Sequence, residues 1–216
     1  MRRWLSVCLL LGALLGSSVS LARALGNLQA PIFHAWLRHA DGTPCAQACL
    51  FGASPDGRLS FEAARAILAA HPLTQDAVLT DRGLIVQWNN KLFTLSIGRT
   101  HDSDQLAWIN LQIAGRDLRV SDIIAAYGTP DYVSATNDRI ITDLLYRAHR
   151  LQVSALREAL PTNAPLRLKH RVYNLYLMRE GQFEALLRQI GGNLKAWRGF
   201  VPITHYLNRP SRVASP

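Results

Sequence analysis

Val120-Ser121-Asp122-Ile123-Ile124-Ala125-Ala126-Tyr127-Gly128-Thr129-Pro130-Asp131 decides how the rest of the chain reads. It predicts a short amphipathic helix over 120–127. Ile123 and Ile124 face a core, Gly128 closes the helix in a positive-φ C-cap, and Pro130 bars continuation. Period-two stretches then predict strands at 131–135, 139–147 and 150–156, with Asn137-Asp138 as the first turn. Alternation returns over 166–178. A helix followed by an antiparallel meander is an α+β arrangement, with short helices expected on one face of the sheet.

The same order stands upstream. Ser60 predicts an N-cap for a helix over 61–70, with Phe61, Ala64, Ile67 and Leu68 on one face and Pro72 as the stop. Strands are predicted at 83–88, 91–97 and 106–113, the first two joined by Asn89-Asn90, which tolerates a tight turn. Superposing Pro72 on Pro130 requires an offset of 58, and the same offset lays residues 92–97 on 150–155, while Asp81-Arg82 meets Asp138-Arg139 at 57. This predicts a duplicated helix–hairpin repeat. The segments are residues 59–115 for the first α+β repeat and 116–207 for the second, which includes a C-terminal helix over 182–190. Before them comes an irregular segment at 25–58, rich in Pro, Gly and Asp; after them, residues 208–216 form a frayed tail.

With its proline-terminated helix and meander, Tyr127-Gly128-Thr129-Pro130-Asp131 resembles the tandem repeat of β-lactamase inhibitory proteins and small outer-membrane assembly lipoproteins. That resemblance spans about residues 58–156 and implies a helix-on-sheet fold that binds other proteins without catalysis. The chain departs from the family in lacking its Gly-Met/Leu-Thr opening and a lipoprotein cysteine. The stretch from His34-Ala35-Trp36 through Cys45 to Cys49-Leu50-Phe51-Gly52 resembles uncharacterised exported bacterial proteins.

Export is also the reading of the N-terminus. Met1-Arg2-Arg3-Trp4, an apolar run and then Ser17-Ser18-Val19-Ser20-Leu21-Ala22-Arg23-Ala24 have the layout of a signal peptide over residues 1–24. The alternative is a retained anchor, since residues 5–22 as a helix would rise about 27 Å against a hydrocarbon core of about 30 Å. Beyond residue 24 the charge is uneven. Residues 25–138 carry 8 basic and 11 acidic side chains, residues 139–216 carry 13 and 4. The basic half suits an acidic envelope component, but only Lys91, Lys169 and Lys195 are lysines and the arginines are scattered. An exported chain has no nucleic acid to meet, and it contacts a membrane only if the N-terminal helix is uncleaved.

Cys45 and Cys49 are the cysteines left after such processing. Outside the cytoplasm they read first as a disulfide, with free thiols or a metal site shared with His34 and His39 as alternatives. No Gly-x-Ser-x-Gly, Ser-x-x-Lys or His-Glu-x-x-His motif occurs. His101, Asp102 and Asp104 form a His–carboxylate cluster in a polar turn and are the candidate metal or acid–base residues. On the alternation over 166–178, Lys169, Arg171, Tyr173 and Leu175 share one strand face and His170, Val172, Asn174 and Tyr176 the other. Lys169, Arg171, Tyr173 and Tyr176 are the candidate binding surface. The expectation is an exported non-enzymatic binding protein of the cell envelope or extracellular space, with an unknown protein or acidic envelope component as partner and no cofactor. Its alternatives are an envelope hydrolase or metal-dependent enzyme, and an N-terminally anchored structural subunit.

Overall fold

Alternation of apolar and polar residues along seven segments, and two short segments that lack it, build one antiparallel sheet. The computed structural model describes residues 31–45, 47–114, 118–135, 141–156 and 165–206. The signal-peptide, Asn137-Asp138 and tail readings lie outside these residues. The chain divides at Ala35/Trp36, and all the strands belong to the second unit. Among the described residues, helices α1 (Pro31–Trp36), α2 (Phe61–Ala70), α3 (Val120–Tyr127) and α4 (Glu180–Ile190) accompany nine strands. These are β1 (Val78–Asp81), β2 (Ile85–Asn89), β3 (Phe93–Arg99), β4 (Leu106–Ile113), β5 (Tyr132–Ala135), β6 (Ile141–Tyr146), β7 (Leu151–Leu156), β8 (Arg171–Met178) and β9 (Leu194–Ala196). Their order across the sheet is β1-β2-β3-β4-β8-β7-β6-β5-β9, every neighbour antiparallel. The architecture is α+β with the sheet dominating.

The local rules that form the helices are those the sequence carries. Ser60 Oγ accepts a hydrogen bond from the Ala63 N–H at 3.1 Å, capping α2. Asp122 closes a capping box at the start of α3 by accepting from the Arg119 N–H, and Gly128 ends that helix at φ 78°. Asn90 makes the β2–β3 turn, its Oδ1 accepting from both Leu92 and Phe93 N–H groups.

Cross-strand pairs sort the sheet into two faces. One row runs Leu79–Trp88–Leu95–Leu111–Leu175–Val153–Leu144–Val133, each residue directly opposite the next. Val86, Phe93, Ile97, Ile109 and Leu177 share that face and are buried. Phe51 packs on both Phe93 and His71, the residue that caps α2, and Tyr127 of α3 meets Tyr146 of β6. The segment around Phe51, α2 and α3 therefore cover this side of the sheet. Ile123 is fully buried and Ile124 half-buried, so one of the two isoleucines expected in the core stands at its margin.

Three expectations need correction. The helices do not all lie on one face. Phe183 of α4 clusters with Leu145 and Met178, whose side chains point away from the Leu111 row, so α4 covers the opposite face near β5, β6 and β8. A one-sided apolar stripe requires burial of a helix but does not select the sheet face that buries it. The strand expected over 166–178 starts only at Arg171, because the preceding turn serves α3: the carbonyls of His170 and Leu168 accept the N–H groups of Val120 and Ser121. Ser154 pairs with Asn174 and Ala155 with Val172, so Tyr173 is extra, a β-bulge that returns Val172 to the same side as Leu175. The predicted partition of β8 therefore holds for Leu175 against Asn174 and Tyr176 and fails before the bulge: Val172, expected beside Asn174 and Tyr176, lies in the core with Leu175.

Candidate binding face

The face turned away from α2 and α3 has a different chemistry. Two adjacent cross-strand rows carry it. The first runs Thr80–Gln87–Ser96–Asn110–Tyr176–Gln152–Leu145–Tyr132, the second Val78–Asn89–Thr94–Gln112–Asn174–Ser154–Asp143–Ser134. Over β2, β3 and β4 every member is an uncharged amide or hydroxyl, half-buried or exposed as a sheet face open to water would be. Asn89 Oδ1 ties two strands together, accepting from Thr94 Oγ1 at 2.9 Å and from Gln87 Nε2 at 3.3 Å.

Towards β6 and β5 the same face closes over. Leu145, Met178 and Phe183 are buried there, with Trp108, Tyr132 and Tyr176 packed round them. Trp108 meets Tyr176 edge-on at 5.7 Å, and burial pushes the Tyr176 phenol pKa up. On the same face of β6 sits Asp143. Burial raises its carboxyl pKa, while hydrogen bonds from Ser154, at 2.6 Å, and Gln152 pull the other way. The polar face thus grades from a flat amide–hydroxyl surface to an aromatic wall beneath α4.

Of the expected surface residues, Tyr176 belongs to that wall and Arg171, half-buried, opens β8 opposite Leu156. Tyr173 is half-buried in the bulge, and Lys169 is exposed in the turn before the strand. Sequence reasoning missed the amide and hydroxyl rows themselves. Their signal was present at the off-core positions of each strand, where Gln87, Thr94, Ser96, Asn110 and Gln112 alternate with buried apolar residues.

His101 and Asp102 are exposed in the β3–β4 turn, while Asp104 forms an ion pair with Arg99 and its carbonyl accepts the Phe61 N–H. His34 lies on α1 with its ring 6.2 Å from Phe33, and His39 is exposed in the turn that follows. Among the described residues no three His, Cys, Asp or Glu side chains converge as metal ligands. Cys45 and Cys49 form a disulfide, Cα–Cα 6.2 Å, beside a cavity of about 360 Å³ also lined by His39, Asp56, Arg58 and Ile67. A disulfide is a bond of oxidising compartments, which suggests an extracytoplasmic location. No helix among the described residues is long and apolar enough to cross a membrane. No known protein family, curated protein or solved structure matches this chain.

Proposed function

We propose that this is an exported, non-catalytic binding protein of the cell envelope or extracellular space, which takes a protein partner on the open amide–hydroxyl face over β2, β3 and β4. The observation that carries the reading is that face itself. It is uncharged and rich in amide and hydroxyl donors and acceptors, with an aromatic wall at one end where a partner side chain can be desolvated. The Cys45–Cys49 disulfide supports export.

The tandem-repeat resemblance is part of the same reading. Among the described residues a helix followed by four antiparallel strands occurs twice, α2 with β1 to β4 and α3 with β5 to β8, and the two runs meet last strand to last strand. Along the apolar row Leu95 corresponds to Val153, the offset of 58 read from the sequence. These correspondences support a duplication whose joint leaves one wide face.

Site-specific photo-crosslinking in the native envelope tests the proposal. A crosslinker in place of Ser96 or Gln112 should capture one partner band that is absent with the crosslinker at Ala66, on the exposed side of α2. Capture equal at all three positions, or at Ala66 alone, would refute it. Export is checked separately by intact mass, which should place the mature N-terminus near Arg23 or Leu25.

A further inference from the structure

The two outer edges of the sheet differ. At one edge β9 pairs with β5, so Val133 has Leu144 on one side and Lys195 on the other and is fully buried. Leu79 of β1 occupies the same apolar row at the other edge. It has Trp88 on one side and, among the described residues, no strand on the other, and is 46% exposed. Val78 beside it is 69% exposed and Ile85 on β2 41%. An open edge carrying apolar side chains is a template for another strand.

Backbone polarity fits this. The hairpin bond from the Arg82 N–H to the Ile85 carbonyl sets the alternation along β1. It turns the peptide groups of Thr80 inward to β2 and those of Leu79 outward.

The segment is also self-complementary. Laid antiparallel on itself with Leu79 at the centre, it sets Val78 against Thr80 and Asp76 against Arg82, and both charged residues are exposed. We infer that β1 pairs with β1 of a second copy of this chain, joining the two sheets edge to edge about a two-fold axis at Leu79. The apolar rows then run on from one copy to the other through the Leu79 pair, and each copy supplies one Asp76 and one Arg82 to the two ion pairs, as an isologous contact requires. Four-residue strands bury little area, so the association is weak and depends on concentration. This inference is independent of the polar-face reading, since it uses the sheet edge.

Sedimentation of the mature protein over a concentration series tests it. The mass should move from monomer to dimer. Asp76→Arg and Arg82→Asp should each weaken the dimer about tenfold, because two exposed attractive pairs become repulsive. The double reversal Asp76→Arg with Arg82→Asp should return the affinity to within about threefold of wild type, since the pairs re-form with their signs exchanged. All three variants change exposed side chains, and circular dichroism checks that they fold. A monomer mass at every concentration would overturn the inference, as would single reversals without effect or a double reversal that stays as weak as the singles. Monomer that instead captures an unrelated extended peptide on β1 would overturn it in favour of a foreign strand.

Discussion

Replacing Gly98 by alanine tests how the aromatic wall is held in place. Gly98 lies on β3 directly opposite Trp108 of β4, on the polar face. A methyl group there would stand 2.2 Å from Trp108 Cε2 and 2.3 Å from Cζ2. Ordinary carbon–carbon contact is about 3.5–4.0 Å, so the indole has to retreat by more than about 1 Å. Retreat into a packed cluster costs about 1–3 kcal/mol. Losing the edge-on contact with Tyr176 adds about 0.5–1.5 kcal/mol. Against this, removing a glycine restricts the unfolded chain and returns about 0.4–1 kcal/mol. The steric side wins, and Gly98→Ala should destabilise the protein by about 2 kcal/mol in urea denaturation followed by circular dichroism. Trp108→Ala removes the obstacle, so in that background Gly98→Ala should be neutral or stabilising by up to about 1 kcal/mol. A Gly98→Ala variant within about 0.5 kcal/mol of wild type, or one equally destabilising in both backgrounds, would refute the reasoning.

The helix on the other face gives a matched pair. Ile123→Ala should cost about 2–5 kcal/mol because the side chain is fully buried, and Ile124→Ala clearly less because it is half-exposed; denaturant midpoints of the two variants check the order. Asp143 should make stability fall as pH rises. Its folded pKa lies above the unfolded value of 3.8, so the folded state holds the proton more tightly, and that stabilisation is present below the unfolded pKa and lost as pH climbs through the folded one. Thermal midpoints of wild type measured relative to Asp143→Asn should therefore decline from pH 4 to pH 7. The five-residue disulfide loop should contribute roughly 2 kcal/mol, read as the difference between native protein and the Cys45→Ala/Cys49→Ala variant, and intact mass without reductant should show two hydrogens missing.

What the sequence makes legible follows from where the physics is local. Helices over 61–70 and 120–127 and the strand over 106–113 are readable because caps, proline stops and periodicity are properties of a few neighbouring residues. β1 and β9 were not. They are four and three residues long and lie at or beside the sheet edge, so no face of either is buried deeply enough to impose alternation. β8 was found, yet its facing reversed partway, since one extra residue at Tyr173 shifts every position before it to the other side. The docking of α4 depends on Leu145, far upstream of Phe183 in sequence, and no local pattern encodes that choice. The polar face was legible as composition and illegible as a site. Gln, Asn, Ser and Thr at alternate positions read as solvated strand until β2, β3 and β4 stand side by side and make a surface of them.

The joint between β4 and β8 also dictates a timetable. Leu111 waits for Leu175, a partner 64 positions downstream. At about 5–20 residues added per second, a ribosome needs roughly 3–13 s to supply it. Wherever the chain folds, a first meander that forms early carries a bare edge on its longest strand until the second meander assembles and shuts the gap. Closure of this long-range pair is the natural slow step of folding. The moment of greatest aggregation hazard therefore belongs to the half-assembled sheet, before β8 covers the edge of β4.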